Sequence, residues 1–319
     1  MPMRIVVTRR IPEAALAVLR TAGEVWVAPA DRALEPDELR EAVAGATAVV
    51  CMLHDRIDRG VADAAGPALR IVANVAVGYD NIDVAALAER NVLVTNTPGV
   101  LTDATADLTL GLLLALTRRI GEGDRLLRAE RPWSFHLGFM LGSGLQGKTL
   151  GIVGLGAIGQ AVARRARSFG MNLVYSGRSR SPAAAELEAR FVTREELLTT
   201  SDVVSLHCPL TPQTRHLIDA EALGAMKPNA YLINTTRGPV VDEAALATAL
   251  RRGEIAGAAL DVFEKEPEVE RRLLDLDNVV LTPHLGSATV ETRTEMALLA
   301  ARNVASVLAG EGPLNLVHG

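Results

Sequence analysis

The sequence predicts an α/β protein built from two doubly wound parallel sheets. Short apolar, β-branched runs alternate with Ala- and Leu-rich helical segments over almost the whole chain. The alternation starts twice, at Arg4 and again at Thr149, and a Pro98–Gly99 break followed by one long apolar helix separates the two series.

In the first series Arg4–Thr8 is a strand, and Pro12 opens a helix that runs to about Ala22, proline being suited to a first turn. Val25–Ala28 is a short strand, Pro36–Ala44 a helix and Ala48–Leu53 a strand. Val61–Ala65 is helical, and Leu69–Val75 is a strand that empties into Ala76–Val77–Gly78–Tyr79. Helix Asp83–Arg90 and strand Val92–Thr95 complete the series. Thr102–Arg119 follows as one helix with an apolar middle on nearly every side, which requires burial. The second series holds strands Thr149–Val153, Asn172–Tyr175, Asp202–His207, Tyr231–Asn234, Ile255–Asp261 and Val279–Leu281. Its helices are Ala157–Phe169, Arg194–Leu198 and Glu243–Arg252. A last helix, Thr289–Ala309, lies too far past the second sheet to be one of its crossovers and is expected to return to the first domain. The expected division is 1–98 with 288–319 as a flavodoxin-like domain and 99–287 as a Rossmann domain, with a cleft between them.

The strand Thr149–Val153 runs into Gly154–Leu155–Gly156–Ala157–Ile158–Gly159, with a helix directly after it. In such a strand–turn–helix setting the first glycine makes the tight turn, and the second lets the backbone approach a pyrophosphate. The third lets the helix pack close to the sheet. The helix N-terminus supplies N–H groups and a positive dipole end for that anion. A G-x-G-x-x-G run is weak on its own, but in this context it reads as a dinucleotide site.

Composition removes other classes. With 49% hydrophobic and 22% charged residues and a net charge of −5, the chain is an ordinary globular protein without the basic footprint of nucleic-acid binding. The longest apolar stretch, Leu108–Leu116, is too short for a bilayer and is interrupted by Thr109 and Gly111. The segment from Met1 to Arg10 reads as a strand, with no apolar signal region. Cys51 and Cys208 are far apart and lie in or beside apolar strands, so both read as core thiols of a reducing compartment. The expectation is a cytoplasmic protein without a metal.

The corner after the second strand of a dinucleotide fold commonly carries an acid for the ribose hydroxyls. Here it reads Ser176–Gly177–Arg178–Ser179–Arg180, with no carboxylate. Ser176, Gly177, Arg178 and Ser179 suit the 2′-phosphate of NADP(H), the arginine supplying a charge-assisted fork, with NAD(H) as the alternative. Three more residues stand just beyond strands of the second sheet: Arg237 after Tyr231–Asn234, Glu266 after Ile255–Asp261, and His284 after Val279–Leu281. Ligands of open α/β sheets bind at those ends, so the three form a candidate catalytic set.

On Gly154–Gly159, His207–Cys208–Pro209–Leu210–Thr211, Asn234–Gly238, Ala259–Pro267 and Thr282–Thr289, the chain resembles the D-isomer-specific 2-hydroxyacid dehydrogenase family over nearly its full length. Within that family it is most similar to the glyoxylate/hydroxypyruvate reductases. The resemblance implies NADPH-dependent reduction of a small 2-keto acid, with catalytic Arg237, Glu266 and His284. It adds Thr105, His207, Cys208, Pro209, Thr214, Thr235, Thr236, Asp261 and Gly286 to the cofactor set, with Arg237 and His284 beside it. Substrate contacts fall on Leu53, Val77, Gly78, Arg237, His284 and Trp133. Glu266 is expected to hydrogen-bond His284 and favour its protonated form. Trp133 and Phe135, in Pro132–Trp133–Ser134–Phe135, depart from the family's spacing of two tryptophans, and interface packing is an equal reading for them. The long apolar helix and the family together imply a homodimer. Other readings are an NAD-dependent D-3-phosphoglycerate or other D-2-hydroxyacid dehydrogenase, a phosphite-oxidising relative, and, from a different class, a cofactor-sensing corepressor. The corepressor is disfavoured by the lack of extra tails.

Overall fold

The computed structural model describes residues 3–318, so residues 1, 2 and 319, the outer ends of the first-domain assignment, lie outside the described residues. The chain forms two units, Met1–Leu101 with Thr289–Gly319, and Thr102–Ala288.

The first unit contains β1 (Arg4–Val7), α1 (Glu13–Ala22), β2 (Glu24–Val27), α2 (Pro36–Val43), β3 (Ala48–Cys51), α3 (Arg59–Ala65), β4 (Ile71–Asn74), α4 (Val84–Ala88) and β5 (Leu93–Thr95). Its five strands are all parallel in the order β2-β1-β3-β4-β5, the flavodoxin-like arrangement. Strands β1, β3 and β4 are nearly continuous runs of buried residues, as a sheet covered on both faces demands. Asp58 and Asp83 accept from the N–H groups of Val61 and Ala86 and so start α3 and α4. The last helix, written α12 in chain order (Val290–Ala309), packs against α1 and β4 of this unit. Arg70 ties it down by donating to the carbonyls of Val307 and Leu308. The tail beyond it adds a bridge from Leu316 to Thr95.

The second unit begins with α5 (Thr102–Thr117) and α6 (Ile120–Arg128) and continues with β6 (Thr149–Val153), α7 (Ala157–Ser168), β7 (Asn172–Ser176) and β8 (Ala189–Phe191). Then come α8 (Arg194–Thr200), β9 (Val203–Leu206), α9 (Ala220–Ala225), β10 (Tyr231–Asn234), α10 (Glu243–Arg252), β11 (Gly257–Leu260), α11 (Arg271–Leu274) and β12 (Val279–Leu281). Seven parallel strands run in the order β12-β11-β10-β9-β6-β7-β8. Strand order reverses beside β6, which puts a crevice at the carboxyl ends of β6 and β9, the place where such sheets receive a dinucleotide.

Helix α5 is shorter than its sequence pattern suggests, because Arg119 adopts φ 52° and the chain restarts as α6. Its Ala106, Leu110, Leu112, Leu113 and Leu116 are buried in a core shared with α7 and β6. The strand expected over Ala48–Leu53 stops at Cys51 for a specific reason: Asp55, 2% exposed, accepts from both Met52 N–H and the Thr8 hydroxyl, and this folds 52–55 into a turn. Cys51 is buried, but Cys208 is only partly so, since it lies past the end of β9. No helix among the described residues is long and apolar enough to cross a membrane.

Candidate active site

The glycine turn shows three different reasons for lacking a side chain. Gly154 has φ +95°, and a β-carbon there would lie 2.8 Å from the His207 carbonyl and 2.9 Å from Cys208 N. Gly159 is in the first turn of α7, where a β-carbon would overlap the Gly154 carbonyl. Gly156, the residue that caps α7, is different. A β-carbon on it would meet nothing within 4 Å. The packing of the protein itself therefore does not ask for glycine at 156, whereas close approach of a pyrophosphate to the backbone does. Leu155, Ala157 and Ile158 fill the rest of the turn, and Leu155 is buried in the core. A dinucleotide fits these residues.

Ser176 ends β7, and Gly177, Arg178, Ser179 and Arg180 follow as an exposed corner. Tyr175 is fully buried, and its hydroxyl accepts from Ser181 N at 2.9 Å, which closes the corner back onto the sheet. The Arg180 guanidinium stacks 5.4 Å over the Phe191 ring.

Across the crevice, His207 follows β9. Its Nε2 pairs with the Ser205 hydroxyl at 2.8 Å, and its Nδ1 is buried with no hydrogen-bond partner among the described residues. Burial pulls this imidazole down to about 3, so it is neutral at physiological pH. Burial likewise pushes the neighbouring Cys208 thiol up to about 11, which makes it inert. The loop from Pro209 closes on Thr214, whose hydroxyl donates to the Pro209 carbonyl and accepts from Thr211 N.

At the end of β10, Asn234 organises the turn that presents Arg237. Its side-chain oxygen accepts from the N–H and hydroxyl of Thr236, and its amide donates to the Arg237 carbonyl. Thr235 is buried, with its hydroxyl 3.0 Å from that of Thr109 on α5. The Arg237 guanidinium donates through Nη1 to the Thr236 carbonyl at 2.9 Å.

Glu266 and His284 meet directly. Glu266 Oε2 lies 2.9 Å from His284 Nδ1, while Oε1 accepts from Phe263 N at 3.0 Å. Both side chains are mostly buried, 17% and 24% exposed, so water competes little for the contact. His284 has φ 55°, a strained conformation for a non-glycine residue. It is held there by N–H bonds to the carbonyls of Asp261 and Thr282. Asp261, 1% exposed, holds the rest of that loop: its carboxylate accepts from the Thr282 hydroxyl, Leu285 N and Gly286 N at 2.6–2.8 Å. Burial pushes the Asp261 carboxyl up, and these three donors pull it back. The Thr105 hydroxyl on α5 donates to the Gly286 carbonyl at 3.1 Å.

The second unit thus brings the expected residues to the carboxyl ends of its strands. Sequence reasoning gave no role to Asn234 or Gly238. A β-carbon on Gly238 would overlap the backbone of Phe263 and Glu264, so the Arg237 turn and the Glu266 loop touch backbone to backbone. In the first unit, Asn96 and Asn74 donate to the carbonyls of Val77 and Gly78 at 2.8 Å. In a trans peptide the carbonyl and the following N–H point opposite ways, so the Gly78 N–H is directed away from Asn96. Leu53 is carried by the turn that Asp55 closes. Trp133 and Phe135 are 57% and 81% exposed, and Trp133 stacks on Phe139 at 6.0 Å. No cluster of residues able to hold a metal ion exists among the described residues.

Residues 110–286 match the family model for the NAD-binding domain of D-isomer specific 2-hydroxyacid dehydrogenases. A glyoxylate reductase of Thermococcus kodakarensis is 50% identical over 320 residues, covering 99% of this chain and 96% of that protein. A crystal structure of a Thermus thermophilus protein superposes with a TM-score of 0.92 at 47% identity, covering 99% of this chain and all of the other. An NADPH-dependent glyoxylate/hydroxypyruvate reductase of Sinorhizobium meliloti, crystallised with NADP and malonate, gives a TM-score of 0.86 at 36% identity over 99% of this chain and 96% of its own. With a family model over more than half of its length and relatives near 50% identical along all of it, the chain belongs to the D-isomer specific 2-hydroxyacid dehydrogenases and is an NAD(P)-dependent oxidoreductase.

Proposed function

We propose that the protein reduces glyoxylate, and hydroxypyruvate with it, to the 2-hydroxy acid using NADPH. The observation that carries the chemistry is the contact between His284 Nδ1 and Glu266, which assigns the other ring nitrogen, Nε2, to the substrate. The reduced nicotinamide supplies a hydride to the carbonyl carbon. His284 donates a proton from Nε2 to the carbonyl oxygen as general acid, so that carbonyl, hydride and proton balance to the alcohol. Glu266 fixes the ring's orientation and supports the charged imidazolium before transfer. Arg237 polarises the carbonyl and binds the substrate carboxylate, a planar fork against a planar anion. The amides of Val77 and Gly78 are assigned to the same carboxylate, and the apolar Leu53 suits a small acid without a phosphate. Trp133 is assigned to the closure of the pocket.

Gly154–Gly159, Cys208, Pro209, Thr214, Thr235, Thr236, Asp261, Gly286 and Thr105 are assigned to the cofactor, with Arg178, Ser176 and Ser179 holding its 2′-phosphate. The preference for NADPH is supported by a corner that holds two arginines and no acid. A homodimer is supported by exposed Leu127, Trp133, Phe135, Leu137 and Leu141, a run of apolar side chains on and after α6 that a monomer would leave in water. Two separate, unpaired thiols agree with a cytoplasmic location.

Initial rates with glyoxylate and hydroxypyruvate, each with NADPH and NADH, test this reading on the wild type and Arg178→Ala. Glyoxylate reduction with an NADPH preference that Arg178→Ala removes is expected. A wild type that prefers NADH overturns the role of the corner, and inactivity on both acids overturns the substrate.

A further inference from the structure

One buried carboxylate in the second unit has no part in this chemistry. Glu243, in the first turn of α10, is 5% exposed, and its Oε1 accepts from Glu264 N at 2.6 Å. The backbone of Glu270 also favours its ionised form. Burial and the nearby carboxylates of Glu264 and Glu270 push the Glu243 carboxyl up, while the two amides pull it back. Glu270 has its own partner in Arg272, at 2.9 Å. Glu264, in turn, meets His216 Nε2 at 2.6 Å. His216 has φ 50° and is fixed by its own N–H, which donates to the Pro239 carbonyl at 2.8 Å, two residues past Arg237.

A chain of contacts, His216–Glu264–Glu243, therefore encloses the backbone at residues 263–264. That backbone also lies against Gly238, beside Arg237. From there the path to the reacting groups is short: Phe263 N donates to Glu266 Oε1, and Glu266 Oε2 meets His284. A carboxylate that only answered the α10 N-terminus would need no such reach, because Asp242 already caps that helix through Ala245 N. We infer that Glu243, with Glu264 and His216, is a positioning set that fixes the 263–264 backbone so that Glu266 and Arg237 share one frame. These residues touch neither substrate nor cofactor in this reading, which rests on Glu266 and His284 acting as the proton-donating pair.

The test compares full-length wild type with Glu243→Ala, Glu243→Gln and Glu264→Ala. In the cofactor-free protein, the downfield proton resonance of the His284 ring N–H, identified by its loss in Glu266→Ala, reports the pair directly. Glu243→Ala is expected to broaden or shift it. The same variant should lower kcat about 10- to 100-fold, the scale of an ångström's misplacement. It should raise the solvent deuterium isotope effect on kcat, because proton transfer is what loses its geometry. Cofactor Kd should stay within about twofold, and Glu243→Gln, which keeps an acceptor oxygen, should recover most of the loss. A folded Glu243→Ala with the wild-type resonance, kcat and isotope effect overturns the inference. Where Glu243→Ala does not fold, Glu264→Ala decides: it removes only a partly exposed contact with His216, and wild-type behaviour in it overturns the set. A wild type that reduces no 2-keto acid refutes the proposed substrate, and the resonance still decides the positioning.

Discussion

Gly238→Ala is the sharpest perturbation of the proposed site, because one added methyl group strikes the seam between two of its loops. The β-carbon would overlap Phe263 C and O and Glu264 N, all backbone atoms, where ordinary contact is 3.4–4 Å. Backbone has no rotamer by which to retreat, so one loop must move by on the order of 1 Å or more, and a misplacement of about that size costs roughly 100-fold in rate. Phe263 N carries the hydrogen bond to Glu266 Oε1, so a shift of 263 opens the 2.9 Å contact with His284; a shift of 238 moves Arg237 instead. Either way kcat should fall about 100-fold. The overpacked core should also cost on the order of 1–3 kcal/mol in stability. Cofactor Kd, which in the proposed reading rests mainly on Gly154–Gly159, should change much less than kcat. Steady-state kinetics, thermal unfolding and a fluorescence titration with the reduced nucleotide measure the three quantities separately. A Gly238→Ala protein with wild-type kcat would refute the backbone-to-backbone seam, and a collapse of cofactor affinity with kcat unchanged would refute the division of labour.

His284→Gln should lower kcat by about 10²–10⁴ while leaving cofactor Kd near the wild-type value, the loss expected of a general acid. Gly156→Ala and Gly154→Ala should separate binding from folding: the first, facing open space, keeps its unfolding midpoint but weakens nucleotide binding at least tenfold. The second forces an alanine into φ +95° against His207 and Cys208 and loses on the order of 1–2 kcal/mol of stability. His207 should make the protein acid-sensitive. Its imidazole stays neutral in the folded state down to about 3 but titrates at 6.5 when unfolded, so the unfolded chain binds more protons across that window. Stability is therefore whole above pH 6.5 and falls as pH drops toward 3, by up to about 5 kcal/mol before solvent screening of the partly exposed ring. Denaturant unfolding of His207→Phe should show a flatter acid limb, and an unchanged limb refutes the assignment.

Much of this architecture is legible in the sequence because the second sheet is built of strands that read plainly. Thr149–Val153, Tyr231–Asn234 and Val279–Leu281 have the same bounds in the structure as in the pattern. What the sequence hides is whatever depends on contacts distant along the chain. Strand β8 and helices α9 and α11 are three to six residues long and gain their apolar partners only by packing, so periodicity cannot announce them. Helix α6 continues after a single left-handed residue, Arg119, that nothing in its side chain demands. In the site, Arg237, Glu266 and His284 stand out as charged or titratable residues just past strands. Glu243 and Asn234 do not, because a buried anchor becomes visible only when its donors, 21 and two residues away, are in place.

The way these loops are anchored bears on the charge the site can offer. Asp261 accepts from Leu285 N and Gly286 N, Glu266 from Phe263 N, and Glu243 from Glu264 N. Each carboxylate ties a loop through backbone N–H donors, which help to satisfy a buried anion. In the proposed reaction Arg237 and the proton-donating His284 act on the same acid, and this couples binding of the carboxylate to presence of the transferable proton. A substrate without a carboxylate forfeits that coupling, and an ester or amide of the same keto acid should lose kcat as well as affinity.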